Sequence, residues 1–503
     1  MDFLKRLSIS CITILIFCCN SLSAAAAPIP KSGTHLLPRR QHLDKPLTFR
    51  QFIQSFQVGD PLTVPAFSFR LGDEGHYQTT TTCRLVGQSC YLFVEDDVWG
   101  TSRVTQAGLE SLAHAFDDAT ARQEDRGIFE VETDLFGPEP DVDGDPRILV
   151  VILDILDSPF TGSTFIGYFD AENQTAPTSR EIVYLDSDPL DIESELARAT
   201  LAHEFQHMLH WRSDPDEEKW VDEGCSEYAE LICGYKDTTK STASAFLEVT
   251  NTSLTAWEDL AFDFDQAFLF MTYYVQRYGD AALKDLVSEP ENGITGLELA
   301  LTGRGISDRF EDLFAAWAAA AYLDGSDDFG YVRIDLGPVH RNSFVLPVID
   351  QLRNARLWGL DYLALSPSEG LSVELTGNSD LLAVLIAERE GDPMVVSYTI
   401  PQGTPLRFST FGQENRALAV ARTSGQDEAY TFTITPLDGA SPTASDFDVS
   451  GRVAFEDFVE FAVHFDSAAG QPGYDPTYDL DGDRRVSFLD FLIFVGNFDL
   501  PVP

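Results

Sequence analysis

The pattern of apolar and polar residues changes character along the chain. Before residue 200, short apolar runs rich in β-branched and aromatic residues predict strands at residues 67–70, 78–83, 90–94, 148–153 and 182–185. Between these strands, apolar residues recur every three to four positions and predict an amphipathic helix over residues 104–122. Strands therefore dominate the first part of the chain.

Two further changes of pattern follow. From residue 226 to residue 325 the spacing is helical, with helices expected at residues 265–278, closed by Gly279, and at residues 309–323. After about residue 335, short alternating runs separated by turn residues predict a β-sandwich. Its strands are expected at residues 371–375, 382–386, 395–400, 417–421 and 430–434.

These changes predict a multidomain α+β protein, because 503 residues exceed what one hydrophobic core normally organises. We expect the domains to follow the changes of pattern. They are a signal peptide at 1–27, a propeptide or N-terminal arm at 28–60, a mixed domain at 61–330, a β-sandwich domain at 335–437, a linker at 438–445 and a small all-α module at 446–500.

Charge and the N-terminus indicate where the protein acts. With 34 Lys+Arg against 81 Asp+Glu, the net charge is −47, which argues against nucleic acid as a partner. Lys5 and Arg6, an apolar stretch at 7–19 and small residues at 24–27 predict a cleaved secretory signal. No other stretch is long enough to span a membrane. The protein is therefore expected to be secreted, extracellular or attached to the cell surface.

Cysteine usage predicts two disulfides. Of the seven cysteines, three belong to the predicted signal, and four remain as two close pairs. An even number in a secreted chain favours bridges between Cys83 and Cys90 and between Cys225 and Cys233. The second bridge requires the chain to bend, because eight residues of continuous helix would hold the sulfurs too far apart.

The strongest chemical signal is the H-E-x-x-H motif of His203, Glu204 and His207. Two histidines four residues apart share one helix face and can bind one zinc ion, while Glu204 can act as general base. A third ligand at position 213 is excluded because Ser213 stands there. Glu223, sixteen residues after His207, is the favoured third ligand, and Glu230 remains an alternative.

Other residues near the motif have secondary roles in this interpretation. Glu227 could orient a ligand histidine, or it could be a surface acid. His210 is expected to be structural. Candidates for oxyanion stabilisation are Tyr228, Tyr273 and Tyr274.

The segment HEFQHMLH followed by WVDEG resembles the gluzincin metallopeptidases, and it is similar to hyicolysin-type enzymes over about residues 80–325. The resemblance implies a zincin-type catalytic domain, with a mixed sheet, an active-site helix and then a helical lobe. It implies His203, His207 and Glu223 as zinc ligands and Glu204 as the base. The expected activity is secreted, zinc-dependent endopeptidase cleavage of a protein or peptide substrate by a zinc-activated water. The alternative is a non-catalytic, calcium-binding surface or adhesion protein on an inactive zincin scaffold.

Two twelve-residue segments near the C-terminus match calcium-binding loops. Their ligands for structural Ca²⁺ would be Asp446, Asp448, Ser450, Arg452 and Asp457, and Asp479, Asp481, Asp483, Arg485 and Asp490. The paired loops resemble a dockerin module of the EF-hand type, which implies a cohesin-like docking partner. Two departures stand out: Arg484 replaces the glycine usual at position six, and the residues just before Asp457 and Asp490 are not the small hydroxyl residues typical of cohesin recognition. Calcium binding is therefore favoured over docking. Asp141, Asp143 and Asp145 form either another calcium loop or an acidic turn.

Overall fold

The computed structural model describes residues 32–37, 55–101, 103–157, 164–175, 178–325, 327–365, 370–388, 393–411, 415–436, 445–480 and 484–498. The predicted signal peptide and most of the predicted linker lie outside these residues. The described part is an α+β protein with several sheets and eleven α-helices. None of these helices is long and apolar enough to cross a membrane.

A six-stranded sheet forms the first layer. Its strands are β1 (Pro61–Ser68), β2 (Gly75–Val86), β3 (Cys90–Glu95), β4 (Ile148–Leu153), β5 (Gly167–Phe169) and β6 (Ile182–Asp186). Their spatial order is β1-β2-β3-β4-β6-β5. The pairs β3/β4 and β4/β6 are parallel, and the remaining pairs are antiparallel. The short strand β5 therefore lies at one edge.

Both faces of this sheet are covered, which explains why every residue of β4 and β6 is buried. Side chains alternate between the faces with a period of two. Leu92, Val150 and Val183 pack with the helices, whereas Tyr91 and Tyr184 pack on the opposite face.

Nine helices cover the first face and continue beyond it. They are α1 (Gln106–Asp117), α2 (Ile128–Phe136), α3 (Glu195–Ser213), α4 (Lys219–Cys233), α5 (Ser244–Glu248), α6 (Ala261–Tyr278), α7 (Asp280–Val287), α8 (Gly293–Gly303) and α9 (Phe310–Leu323). Ser194 caps α3, its hydroxyl accepting a hydrogen bond from the backbone N–H of Ala197 at 3.2 Å. Gly234 ends α4 in a left-handed conformation. The helix α3 thus begins at a residue that favours helix starts, and α4 ends at a residue that favours helix ends.

A two-sheet sandwich follows. One sheet has the order β11-β10-β13-β8 and the other β12-β9-β14-β7, with antiparallel pairing throughout. The strands are β7 (Val348–Asn354), β8 (Asp361–Leu365), β9 (Gly370–Gly377), β10 (Leu381–Ala387), β11 (Met394–Ile400), β12 (Leu406–Phe411), β13 (Arg416–Arg422) and β14 (Ala429–Pro436). Trp358 packs against Phe310 and Phe314 of α9, so the sandwich shares a core with the helices.

The C-terminal part contains α10 (Phe455–His464), β15 (Ser467–Ala468), β16 (Arg485–Val486) and α11 (Phe488–Asn497). Its two halves repeat the same contacts. Asp457 accepts hydrogen bonds from the backbone N–H groups of Phe447 and Ala454, at 2.6 and 2.8 Å. Asp490 accepts the equivalent bonds from Leu480 and Ser487, both at 2.6 Å. The sequence repeat is therefore also a structural repeat.

The predicted disulfides are wrong, because Cys83, Cys90, Cys225 and Cys233 are free thiols. Cys83 and Cys90 lie in the cores on opposite faces of the first sheet, so their side chains point apart. Cys225 and Cys233 lie on the single uninterrupted helix α4, where eight residues span about 12 Å. The bend that the second bridge required does not occur.

Candidate metal centre

Three side chains from α3 and α4 converge in the interior. Nε2 of His203 lies 3.2 Å from Oε2 of Glu223, and Nε2 of His207 lies 3.5 Å from the same oxygen. The two imidazole rings are 4.9 Å apart between centroids. All three side chains are buried. Helical spacing aligns the two histidines on α3, and packing of α4 against α3 brings Glu223 to them.

The other nitrogen of each ring has a carboxylate partner. Nδ1 of His203 lies 3.1 Å from Oε1 of Glu230, and Nδ1 of His207 lies 3.1 Å from Oδ1 of Asp222. A protonated Nδ1 donates to these oxygens and leaves the Nε2 lone pair directed towards Glu223. The alternative third ligand, Glu230, thus lies on the opposite side of the His203 ring from Glu223.

Asp222 and Lys236 were not identified from the sequence. Asp222 lies immediately before Glu223 and also contacts Nδ1 of His210 at 3.2 Å. The only available signal was the adjacent pair of acids. Lys236 forms an ion pair with Glu227 and lies 3.8 Å from Glu230. Glu227 is 4.0 Å from Nδ1 of His203, so Lys236 offsets negative charge beside this ring.

The candidate oxyanion groups have other partners. The hydroxyl of Tyr273 donates to the backbone oxygen of Asp328 at 2.7 Å, and that of Tyr274 donates to Ala282 at 3.1 Å. The hydroxyl of Tyr228 accepts a hydrogen bond from Arg333 at 3.4 Å. These contacts fix all three tyrosines in the helical packing.

Electrostatics at the cluster favour positive charge on the imidazoles. Burial alone would lower the pKa of His207, but Asp222 and Glu223 outweigh it and hold this pKa well above its usual range. Burial alone would raise the pKa of Glu223, but His207 and His203 hold it well below its usual range. A proton or a metal ion is therefore stabilised between these groups.

The donor atoms fit zinc. His207 Nε2, Glu223 Oε1 and Glu204 Oε1 are buried and have no hydrogen-bond partner among the described residues. Leaving buried polar atoms unpaired is costly, and a metal ion would satisfy the two ligand atoms among them. Two imidazole nitrogens with one carboxylate oxygen form a donor set typical of a catalytic zinc site.

Glu204 lies next to the ligands and is fully buried. Its Oε2 accepts a hydrogen bond from the hydroxyl of Thr34 at 2.7 Å. Burial raises the pKa of Glu204. Thr34 comes from the N-terminal part of the chain, and no sequence pattern indicated this contact.

The predicted calcium residues are only partly described. Carboxylate oxygens of Asp446, Asp448 and Asp457 lie within 4.8 Å of one another. The hydroxyl of Ser450 lies 3.1 Å from the backbone oxygen of Arg452. In the second loop, Asp479, Arg485 and Asp490 are described, whereas Asp481 and Asp483 lie outside the described residues.

The earlier acidic turn has cationic partners. Asp143 pairs with Arg180 at 2.8 Å, and Asp145 lies 3.8 Å from Arg147. Asp145 also accepts a hydrogen bond from the hydroxyl of Tyr91 at 2.6 Å. The contacts to the two arginines offset the negative charge of this turn.

Comparisons with known proteins support a relationship to metallopeptidases. No family model matches the chain. The neutral metalloprotease ShpI of Staphylococcus hyicus is 26% identical over 197 residues, covering 33% of this chain and 44% of that protein. The chain thus matches less than half the length of this relative. The crystal structure of a Yersinia pseudotuberculosis-derived mitogen covers 18% of this chain and 89% of its own, at 14% identity and a TM-score of 0.16, too low to support a shared fold.

Proposed function

We propose that this protein is a zinc-dependent endopeptidase of the zincin type, with His203, His207 and Glu223 as zinc ligands. The observation that carries the proposal is the convergence of both Nε2 atoms on Oε2 of Glu223. The similarity to a neutral metalloprotease agrees with it. A zinc ion held there would supply a Lewis acid that polarises a peptide carbonyl.

The residues around the ligands have distinct roles in this proposal. Glu230 and Asp222 orient the two imidazoles through Nδ1, so that little reorganisation is needed when zinc binds. Glu204 accepts the proton of the attacking water at a carboxylate oxygen and passes it to the leaving amine. Its burial excludes bulk water and raises its pKa, and both effects favour this transfer.

The substrate side of the site faces the edge of the first sheet. Phe169 of β5 and Trp211 of α3 line a cavity of about 40 Å³ next to His207. The outer edge of β5 can hydrogen-bond to extended backbone, as the N–H of Gly33 does with the oxygen of Gly167 at 2.9 Å. A protein or peptide substrate is therefore expected to lie along β5, and the chain is expected to act outside the cell.

Zinc analysis combined with casein hydrolysis tests the proposal. The wild-type chain should bind one catalytic zinc and hydrolyse casein once its cleft is accessible. Glu204→Gln should keep the zinc and lose activity by at least about a hundredfold, because a positioned base contributes roughly 10²–10⁴-fold. A protein that binds zinc and cleaves neither casein nor a peptide library in any variant would instead be the non-catalytic surface protein.

A further inference from the structure

A cavity of about 440 Å³ lies where α2, α4 and α7 meet. Val131 and Leu135 of α2 and Ile232 of α4 contribute apolar side chains to its lining, here called the apolar wall. Ile232 comes nine residues after Glu223 on α4, which is about two and a half helical turns, so the two side chains point to opposite faces of this helix. The cavity is therefore separate from the candidate metal centre.

Cationic side chains from several elements line this cavity. They are Arg122, Arg126, Lys284 and Arg333. Arg126 is paired with Glu130 at 2.8 Å and with Asp134. Within the part of the chain that the structure describes, Arg122, Lys284 and Arg333 form no ion pair with a carboxylate. These three residues are called the unpaired cations below.

Positive charge predominates in the cavity. Apart from Asp134, which pairs with Arg126, Asp280 is the acid of the lining. The three unpaired cations therefore exceed the negative charge by two. The whole chain has 34 Lys+Arg against 81 Asp+Glu, so this excess is opposite in sign to the charge of the protein. Like charges gathered around one cavity repel each other, and a bound anion would offset that repulsion.

The arginines and a helix end provide hydrogen-bond donors. The guanidinium of Arg333 donates to the hydroxyl of Tyr228 at 3.4 Å. Burial raises the pKa of Tyr228 to about 12, and the positive charges of Arg333 and Arg122 act against this rise, so both arginines lie near one hydroxyl. Asp280 and Ala281, the first residues of α7, also line the cavity, and a helix N-terminus favours anions.

We propose that this cavity binds a small organic phosphate monoester, with its phosphate group on the unpaired cations and its carbon skeleton against the apolar wall. A phosphate monoester carries about −1.5 to −2 charges near neutral pH, which matches the excess of positive charge. The fork of an arginine side chain can donate to two phosphate oxygens at once. The volume lies within the range of about 300–1,000 Å³ that is typical of small-molecule sites. Binding here does not require the proposed peptidase activity.

Isothermal titration calorimetry of the full chain with three probes tests the class of ligand. Phenyl phosphate has a dianionic group and an apolar ring, benzenesulfonate has the ring with a single charge, and inorganic phosphate lacks the ring. Phenyl phosphate should bind at least about tenfold more tightly than either of the others, because only it can use both the cations and the apolar wall. If phenyl phosphate does not bind, or if either of the other probes binds equally well, the proposal is overturned.

Variants then locate the site. Arg122→Gln and Arg333→Gln should each weaken phenyl phosphate binding by at least about tenfold, because each removes a charge-assisted hydrogen bond. Both side chains are exposed, so the fold should be retained, and circular dichroism identifies a variant that fails to fold. The matched control is Arg407→Gln, which removes an exposed arginine of β12 and should bind as wild type does. Equal affinities for wild type and the folded cavity variants would place the ligand elsewhere, for example at the metal centre, and overturn the site.

Discussion

Oδ1 of Asp222 lies 3.1 Å from Nδ1 of His207, so the residue next to the candidate ligand Glu223 orients the opposite ligand. Both residues lie on the first half of α4, and neighbouring helix positions point in different directions. Glu223 therefore faces the Nε2 side of the His207 ring, while Asp222 faces the Nδ1 side. One turn of helix thus provides both a candidate ligand and a group placed to orient the opposite candidate ligand.

Asp222→Ala should weaken zinc binding by about 10- to 100-fold, because His207 would lose the carboxylate at Nδ1 and keep only the hydroxyl of Ser226, at 3.1 Å, to hold its ring and its tautomer. Competition with a chromophoric chelator measures the affinity. Glu248→Ala, at an exposed position in α5, is the control and should bind zinc as wild type does. Equal affinities for Asp222→Ala and Glu248→Ala would rule out the positioning role.

Glu223→Ala should abolish zinc binding, whereas Glu230→Ala should only weaken it. The first removes a ligand atom and should leave no zinc after dialysis. The second removes only the partner of His203 Nδ1 and should retain zinc with an affinity lowered by no more than about 100-fold. Atomic absorption of the dialysed proteins distinguishes the two results. Zinc lost from Glu230→Ala and kept by Glu223→Ala would exchange the two assignments.

Calcium should order the C-terminal repeat. Asp446, Asp448 and Asp457 concentrate negative charge in one loop, and a bound Ca²⁺ would offset their repulsion. Adding calcium to the chelated full chain should slow hydrogen exchange in α10 and α11. Asp446→Ala should reduce this effect in α10. Equal protection of both helices in chelator and in calcium would contradict the prediction.

Stability should depend on pH through Glu181. Burial raises the pKa of Glu181 to about 8, whereas an unfolded chain has the usual value of about 4.3. Because the folded pKa is the higher one, the stabilising contribution is complete below about pH 4.3 and is lost as the pH rises through about 8. The free energy of unfolding should therefore decrease between these values.

Glu181→Gln should remove this dependence. At pH 8 the variant should be more stable than wild type by roughly 4 kcal/mol, and at pH 5 by only about 1 kcal/mol. The amide oxygen of glutamine can still accept the hydrogen bond from the backbone of Val142. Urea denaturation at both pH values measures the difference, with exposed Glu248→Gln as control. If the difference in unfolding free energy between Glu181→Gln and wild type is the same at pH 5 and pH 8, Glu181 is not the source of the pH dependence.

Much of the local structure could be predicted from the spacing of side chains. Helical spacing placed His203, Glu204 and His207 on one helix, and the structure has all three on α3. Alternation and β-branched runs located β3, β4 and β6 within one residue of their ends. These features depend on contacts between residues close in sequence, so the sequence pattern contains them.

The cysteines show where local reasoning fails. Their count and spacing favoured two disulfides, but the pleat of the sheet separates Cys83 from Cys90, and the length of α4 separates Cys225 from Cys233. Pairing depends on the direction of each side chain in the folded protein, and spacing along the chain does not determine that direction.

The sequence by itself determined the chemistry available to this protein: two imidazoles and a base on one helix, a carboxylate on the next, and a repeated acidic loop. Only the tertiary structure decided which acid faces Nε2 and which faces Nδ1. It also decided that Thr34 contacts Glu204 across 170 residues of chain. Such contacts follow from how helices and sheet edges pack, and packing joins residues that no local period relates.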